Sequence, residues 1–449
     1  MTLIDTIKKH SGKYILSSAV SAFLNLLMMK YYTNIFSVSE FGTISLYLIV
    51  FQCFTTIMSL DIYSSFSRLY FDYTGEERNN YVSTIFWFFL LSSFIVICGG
   101  LILMPILSNW ISYDSEFLYI TVLFSAFFSV YFNFFIRIFY IEHLSDRVLK
   151  YNISQSILNH SASFIFIGLF KLGVIGRLLG QMIGFFILNP IIFLKAKRNK
   201  YFDIKMVFDI KMLMDTLRMN LPITISSIQG IALMYADRFF LKHFIGNSAV
   251  GIYTLAYMLG QGFSMIFEAV SQAILPKIYN DMKVNPSETI CEIEKFAYKY
   301  FFVLSIIMFL IILFSSNIIS VISNDSYSGA ANILEIILVG FMVAGFYKIP
   351  VALLNFYKVT WFYPYLSFIS FIIPVIINFI FIPKYGIVAA AFSSFFGFYI
   401  YSSCLFILCS KYMTRKYIYI CMAIYISILI SFIIICLILV SYCKCLCAI

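Results

Sequence analysis

Residues 82–107 read VSTIFWFFLLSSFIVICGGLILMPIL, a run of 26 residues without a single charge. A helix rises about 1.5 Å per residue and the hydrocarbon core of a bilayer is about 30 Å thick, so about 20 such residues cross it. The rest of the chain agrees. Of its 449 residues, 62% are hydrophobic and 12% are charged. A soluble domain has roughly half and roughly a quarter. So much apolar surface cannot be hidden in one soluble core, and water is the wrong solvent. The sequence reads as an all-α, polytopic membrane protein, which largely excludes soluble enzymes and DNA-binding modules.

Working outward from that run, apolar windows predict thirteen helices. Six lie near 14–35, 41–63, 82–107, 117–141, 149–170 and 173–195. A polar segment from Lys195 to Arg218 follows, then six more near 219–245, 249–275, 297–323, 330–357, 362–383 and 386–410. A last one lies near 417–441. The organisation expected is a six-helix lobe over 1–200, a second over 201–411, and an additional span with a tail over 412–449. The first apolar run, from about Tyr14, flows into an ordinary span rather than a signal peptide.

The formal charge of +10 reads as topology rather than as a nucleic-acid patch. With the N-terminus in the cytoplasm, 24 of the 31 Lys and Arg residues fall on inward loops and helix ends. That split follows the positive-inside rule. Seven of the ten cysteines crowd the stretch from Cys404 to Cys447, with no CxxC pair and no His/Cys metal spacing. No metal, disulfide framework or cofactor is expected. A Walker-type glycine loop is also missing: the Gly-Lys pair Gly12-Lys13 lacks the preceding pattern.

The two six-helix halves resemble each other. FGTISLYLIVFQCFTTI from Phe41 falls on VGIYTLAYMLGQGFSMI from Val250 at an offset of 209, placing Gly42 on Gly251, Gln52 on Gln261 and Thr55 on Ser264. The same offset places Arg68-Leu69-Tyr70 on Lys277-Ile278-Tyr279 and Asp72 on Asp281. Lys171-Leu172-Gly173-Val174 matches Lys384-Tyr385-Gly386-Ile387 at an offset of 213. Six helices per unit preserve orientation, which predicts parallel bundles about an axis along the membrane normal, with a substrate site between them.

The repeated residues carry a family resemblance. Ser39-Glu40-Phe41-Gly42, the Leu60–Arg68 segment LDIYSSFSR, Ala236-Asp237-Arg238-Phe239-Phe240 with Val250-Gly251-Ile252-Tyr253, and Pro383-Lys384-Tyr385-Gly386-Ile387 together resemble the O-antigen and polysaccharide flippases (Wzx type). That group belongs to the multidrug/oligosaccharidyl-lipid/polysaccharide exporter superfamily. The resemblance implies two parallel six-helix, MATE-like bundles in a V around a central cavity. It implies movement of an undecaprenyl-diphosphate-linked oligosaccharide from the cytoplasmic to the periplasmic leaflet of a bacterial inner membrane by alternating access. Polymerase and chain-length proteins of the same pathway are then expected partners, beside the lipid-linked substrate and membrane lipids. Such proteins usually have twelve or fourteen spans, so the thirteenth helix decides the side of the C-terminus.

A cavity for that cargo needs cations for a diphosphate, and hydroxyls, amides and aromatics for sugar. Asn220, Thr224, Ser227, Tyr235, Arg238 and Lys242 form one stripe at helical spacing; Tyr253, Tyr257, Gln261, Ser264, Glu268 and Gln272 form another. Gln52, Thr55, Ser59 and Tyr63 echo the second. These stripes, which include charges as well as amides, read as cavity walls, with interhelical glue as the alternative. Arg238 is the first choice for a diphosphate contact, because its planar fork suits phosphate oxygens. Arg177 and Lys30 offer a second cationic step or snorkel to outer head groups. Arg68 and Lys348 lie near inner ends, as phosphate attractors or positive-inside anchors, and Lys348 precedes a proline at 350 where a kink is expected. Asp61, Asp237, Glu268 and Glu335 are the candidates for ion coupling, or for structural pairing with Arg or Lys. Gly176, Gly180 and Gly184 form a small face for close helix packing. No enzymatic activity is expected. The competing readings are a multidrug or cation antiporter of the same superfamily and, less favoured by its short outer loops, a membrane polysaccharide polymerase.

Overall fold

The computed structural model describes residues 3–111, 116–199, 202–357, 359 and 361–414. The expected helix near 417–441 lies outside the described residues. The chain folds as α1 (Leu3–Ile35), α2 (Val38–Ser59), α3 (Tyr63–Leu69), α4 (Gly75–Ile111), α5 (Glu116–Ile141), α6 (Ser145–Gly168) and α7 (Gly173–Arg198). Then come α8 (Ile210–Phe244), α9 (Asn247–Val284), α10 (Pro286–Leu313), α11 (Ser315–Ile322), α12 (Ala330–Phe346), α13 (Lys348–Phe356), α14 (Tyr363–Tyr385) and α15 (Ile387–Cys409). No strand occurs among the described residues.

Among those residues, eight stretches are long and apolar enough to cross a bilayer: α2 with α3, α4, α5, α7, α10, α12 with α13, α14, and α15 with its last turn. The protein is a multi-pass helical membrane protein. Helices α1, α6, α8 and α9 are comparably long, at 33, 24, 35 and 38 residues. At about 1.5 Å per residue each exceeds a bilayer's hydrocarbon thickness. They are more polar, and they carry most of the side-chain clusters described below.

Local chemistry sets the ends. Ser37 and Glu40 form a capping box on α2, satisfying donors that the first turn leaves open. The Asp209 carboxylate caps α8, and Asn285 followed by a proline starts α10. Three expected single spans are each divided. The 41–63 span breaks after Ser59, where Leu60 and Asp61 adopt φ of 45° and 52°. The 297–323 span divides at Phe314, and the 330–357 span at Tyr347, just before Lys348.

The described chain forms two compact units. The first comprises residues 1–254 with Ser320–Tyr327. Its α6–α7 hairpin is closed over the expected glycine face: a Cβ on Gly180 would overlap Ser163, and one on Gly176 would lie 3.1 Å from the Phe166 backbone. The second unit comprises Leu255–Ile319 and the residues from Ser328 on. There, Gly260 of α9 packs on Ile337 and Phe341 of α12, and Gly345 packs on Phe267. Near the start of α10, Glu294 accepts from the Thr414 N–H and hydroxyl, both at 2.7 Å.

Within the first unit, the sequence repeat becomes a symmetric contact. Gly42 on α2 lies against the Asn247 carbonyl, and Gly251 on α9 lies against the Val38 carbonyl. The offset of 209 carries 38 onto 247 and 42 onto 251. Ser45 and Thr254, again 209 apart, share a hydrogen bond of 2.7 Å. Reciprocal contact between equivalent positions is what a local two-fold relation produces. A side chain at either glycine would meet a backbone oxygen, which cannot turn away. Replacing Gly251 by alanine is therefore expected to cost about 1–3 kcal/mol, read as a lower thermal-unfolding midpoint in detergent. Gly99→Ala is the control, since nothing lies within 4 Å of its added Cβ.

Candidate functional site

The break between α2 and α3 exposes backbone groups inside a membrane-spanning stretch, where the protein itself must satisfy them. Helix α8 does so. Asn220 Nδ2 and Thr224 Oγ1 both donate to the Leu60 carbonyl at 2.6 Å. Ser65 Oγ donates to Asn220 Oδ1 at 2.8 Å, and the Asp61 N–H donates to Ser59 Oγ at 3.1 Å. The Ser227 hydroxyl donates to the Asp61 carboxylate. Half of the α8 stripe is thus turned onto the α2–α3 break and holds half-buried Asp61 beside it.

Farther along α8, Asp237 and Arg238 are each only 2% exposed. They are consecutive, yet they meet: Arg238 Nη1 lies 3.4 Å from Asp237 Oδ1. The guanidinium also donates to the Met234 carbonyl at 2.7 Å and to Thr254 Oγ1 at 3.2 Å. The rings of Tyr235 and Tyr253 flank it at 5.1 and 5.3 Å. The Tyr253 hydroxyl donates to the other Asp237 oxygen. Thr254 in turn is the residue bonded to Ser45 across the glycine seam. This pair is electrically neutral as a unit, which is the condition for burying two charges.

A third cluster joins α1, α6 and α7. Arg177 is 8% exposed. Its Nη1 donates to Asn159 Oδ1 at 3.3 Å, and its guanidinium lies 5.1 Å from the Tyr32 ring centroid. The Tyr32 hydroxyl meets His160 Nδ1 at 3.3 Å, and His160 Nε2 meets Asn25 Oδ1 at 3.1 Å. One turn earlier on α6, Ser156 donates to Ser21 of α1 at 2.9 Å. The sequence reading singled out Arg177 but missed Tyr32, Asn159, His160 and Asn25. The available signal was a histidine and an asparagine, side by side, inside an expected span.

The remaining expected residues are dispersed. Lys30 on α1 and Arg68 on α3 are exposed, and Gln52 on α2 is half-buried. In the second unit, Tyr257 is buried with its ring 5.2 Å from that of Phe341, and Gln261 is half-buried one turn on. Half-buried Glu335 accepts from Ser315 Oγ at 2.8 Å, and the Lys348 ammonium sits 5.1 Å from the Tyr347 ring centroid. Glu268 falls on α9, with its side chain outside the described residues. Between α3 and α4, Tyr70 donates to Glu142 at 2.6 Å. Burial, and then that carboxylate, push its phenol above the ordinary range. Among the described residues, no group of three or more His, Cys, Asp or Glu side chains is placed to hold a metal. An apolar crevice of about 380 Å³ lies between α5 and α7, lined by Phe117, Phe124, Phe128, Met182 and Phe186; it suits hydrocarbon rather than a charged head group.

A multi-pass bundle with broken helices and a buried charge pair is a pattern that transporter folds share. Solved structures agree on the fold. The chain is 18% identical to the lipid II flippase MurJ in an inward closed conformation, with a TM-score of 0.74, covering 94% of this chain and 92% of that one. An inward-facing multidrug resistance transporter of the MATE family and MOP superfamily is 17% identical, with a TM-score of 0.73 over 87% and 94%. The Vibrio cholerae MATE transporter VcmN is 14% identical, with a TM-score of 0.62 over 91% and 96%. No curated protein matches by sequence. The family described as polysaccharide biosynthesis protein matches residues 7–282, and the chain belongs to it.

Removing the Asp237 carboxylate would leave the Arg238 cation buried beside two tyrosines. Asp237→Ala is expected to lower unfolding stability by about 3–5 kcal/mol, whereas Asp237→Leu combined with Arg238→Met recovers most of that loss. Thermal unfolding of the purified variants, run side by side, measures both.

Proposed function

We propose that this protein is a flippase that carries a lipid-linked oligosaccharide across a bacterial inner membrane for polysaccharide assembly, by alternating access. In this reading the N-terminus is cytoplasmic, and residues 1–200 and 201–411 are the two halves that rock about the cargo. The cargo is an undecaprenyl-diphosphate-linked repeat unit of the O-antigen or capsule type, handed on to polymerase and chain-length proteins.

The observation that carries the reading is the state of Arg177. It is buried on α7 with an amide and an aromatic ring for partners, and among the described residues no carboxylate pairs with it. A buried cation without its counter-charge is costly in a membrane protein and is retained for function or for an anionic ligand. Family membership and the fold shared with the lipid II flippase support the same choice. In this reading exposed Lys30 and Arg68, and Lys348, are further cations for the cargo. Tyr235, Tyr257, Gln52 and Gln261 are the sugar-facing candidates. The neutral Asp237–Arg238 pair opens to the diphosphate when Asp237 takes a proton. Asp61, Glu268 and Glu335 are the other carboxylates available for coupling.

The second reading is export of a cationic drug, which the comparable likeness to a multidrug transporter favours. One strain separates the two. In a host lacking its own flippase for a matched polysaccharide, the wild-type chain is expected to restore surface polymer. Arg177→Gln is expected to abolish it at unchanged membrane level. Tolerance to cationic drugs without restored polymer would overturn the flippase reading.

A further inference from the structure

The α1–α6–α7 cluster contains a titratable group that the proposal above does not use. His160 is 6% exposed, and both of its ring nitrogens are engaged. Its Nε2 faces Asn25 Oδ1 at 3.1 Å. An amide oxygen only accepts, so Nε2 carries the proton. Nδ1 is then a lone pair, and the Tyr32 hydroxyl donates to it across 3.3 Å. The neutral ring thus satisfies every atom that it touches. The other side of this arrangement is already occupied by charge, because the Arg177 guanidinium lies over the same Tyr32 ring at 5.1 Å.

The charged and titratable groups around His160 come from few elements. Helix α1 contributes Tyr32, with Lys30 two residues away and exposed; α7 contributes Arg177. From α5, Phe139 stacks on Tyr151, nine residues from His160 along α6. Among the described residues no carboxylate enters the cluster. A proton on Nδ1 would therefore place a second cation against one phenol, with nothing to balance either.

We propose that His160 and Arg177 form a joint proton-and-anion site, in which His160 takes up a proton when a diphosphate anion neutralises Arg177. The step is a plain proton uptake. A hydronium ion from solvent breaks an O–H bond and leaves water, Nδ1 forms the new N–H bond, and the Tyr32 hydroxyl turns from donor to acceptor. The anion's charge replaces the missing carboxylate, so the cluster ends with two cations and a dianion rather than with one bare cation. By linkage, the anion raises the proton affinity of His160 and the proton raises the anion affinity of Arg177 by the same factor. The inference rests on the anionic-cargo reading and adds its coupling partner: the cargo moves with a proton held on this cluster.

The test uses the full-length chain in phosphatidylcholine nanodiscs. The probe is a short-chain polyprenyl-diphosphoryl-N-acetylglucosamine, a diphosphate diester whose own charge stays constant from about pH 5 to pH 8. Wild-type protein is expected to bind it roughly tenfold more tightly at the lower pH, within the usual 5–150-fold range for coupled sites. His160→Gln, which keeps a donor and an acceptor in place, is expected to bind with the pH dependence removed, and Arg177→Gln to lose binding. Ring carbon shifts of labelled histidine, compared with those of His160→Gln, report His160 protonation on adding the probe. Equal affinity at both pH values, or a pH dependence that survives His160→Gln, overturns the proposal. Tighter binding of phosphatidylglycerol than of the probe, with the same pH dependence, supports the proton-and-anion site but overturns the flippase reading. No anion binding at either pH overturns both.

Discussion

The carbonyl of Leu60 lies at a helix break inside a candidate membrane span and must find hydrogen-bond donors beyond its own helix, and the polar face of α8 is arranged around that requirement. A helix that runs unbroken through a bilayer satisfies its own backbone; one that breaks after Ser59 does not. Asn220 and Thr224 supply the missing donors from 160 residues or more away in the chain. The same stretch of about two turns of α8 brings Ser227 to Asp61 and Asn220 to Ser65. The break in α2 therefore has a price in polar residues on α8, and the polar character that lowers α8's hydropathy is explained by what it binds.

The two buried arginines solve one physical problem in opposite ways. Arg238 has a carboxylate next to it in sequence, two flanking phenols and two further acceptors, and the unit carries no net charge. Arg177 has an amide oxygen and an aromatic face. A guanidinium tolerates both surroundings because it is planar and weakly hydrated for a cation, but the electrostatic consequences differ. In the first arrangement the cation is already paired with a carboxylate. In the second, no carboxylate among the described residues balances the cation. The contrast is the reason Arg177, rather than Arg238, carries the anionic-cargo proposal.

Much of this was legible in the sequence, and the boundary of legibility is physical. Spans follow from length and hydropathy, since the bilayer imposes one threshold on all of them. The repeat was legible because symmetry copies residues at a fixed offset, and the structure returns that offset as the contact of Gly42 and Gly251 with each other's neighbours. Stripes at helical spacing showed which face of α8 is polar, but not what faces it. Asn220 and Thr224 fit a cavity wall and a clamp equally well until Leu60 is placed beside them. His160 went unread for the same reason: its partners, Asn25 and Tyr32, lie 135 and 128 residues away. The division of an apolar run at Leu60 was hidden too, because no glycine or proline marks it and left-handed dihedrals at Leu and Asp are rare enough to be a poor expectation.

The position of α8 also explains why compactness and repeat divide the chain differently. By the repeat, the second half starts with the polar segment before α8. By packing, the first unit continues to Thr254. The hydrogen bonds from Asn220, Thr224 and Ser227 to the α2–α3 break tie the middle of α8 to the first half. The Ser45–Thr254 bond and the two glycine contacts tie the start of α9 to α2. A helix that belongs to one repeat and is bonded into the other is a natural carrier of coupling between them, because any change in the bonds it makes is felt by both. Asp61 sits where α8 is bonded to the α2–α3 break, and Asp237 where α8 is bonded to Tyr253 near the start of α9.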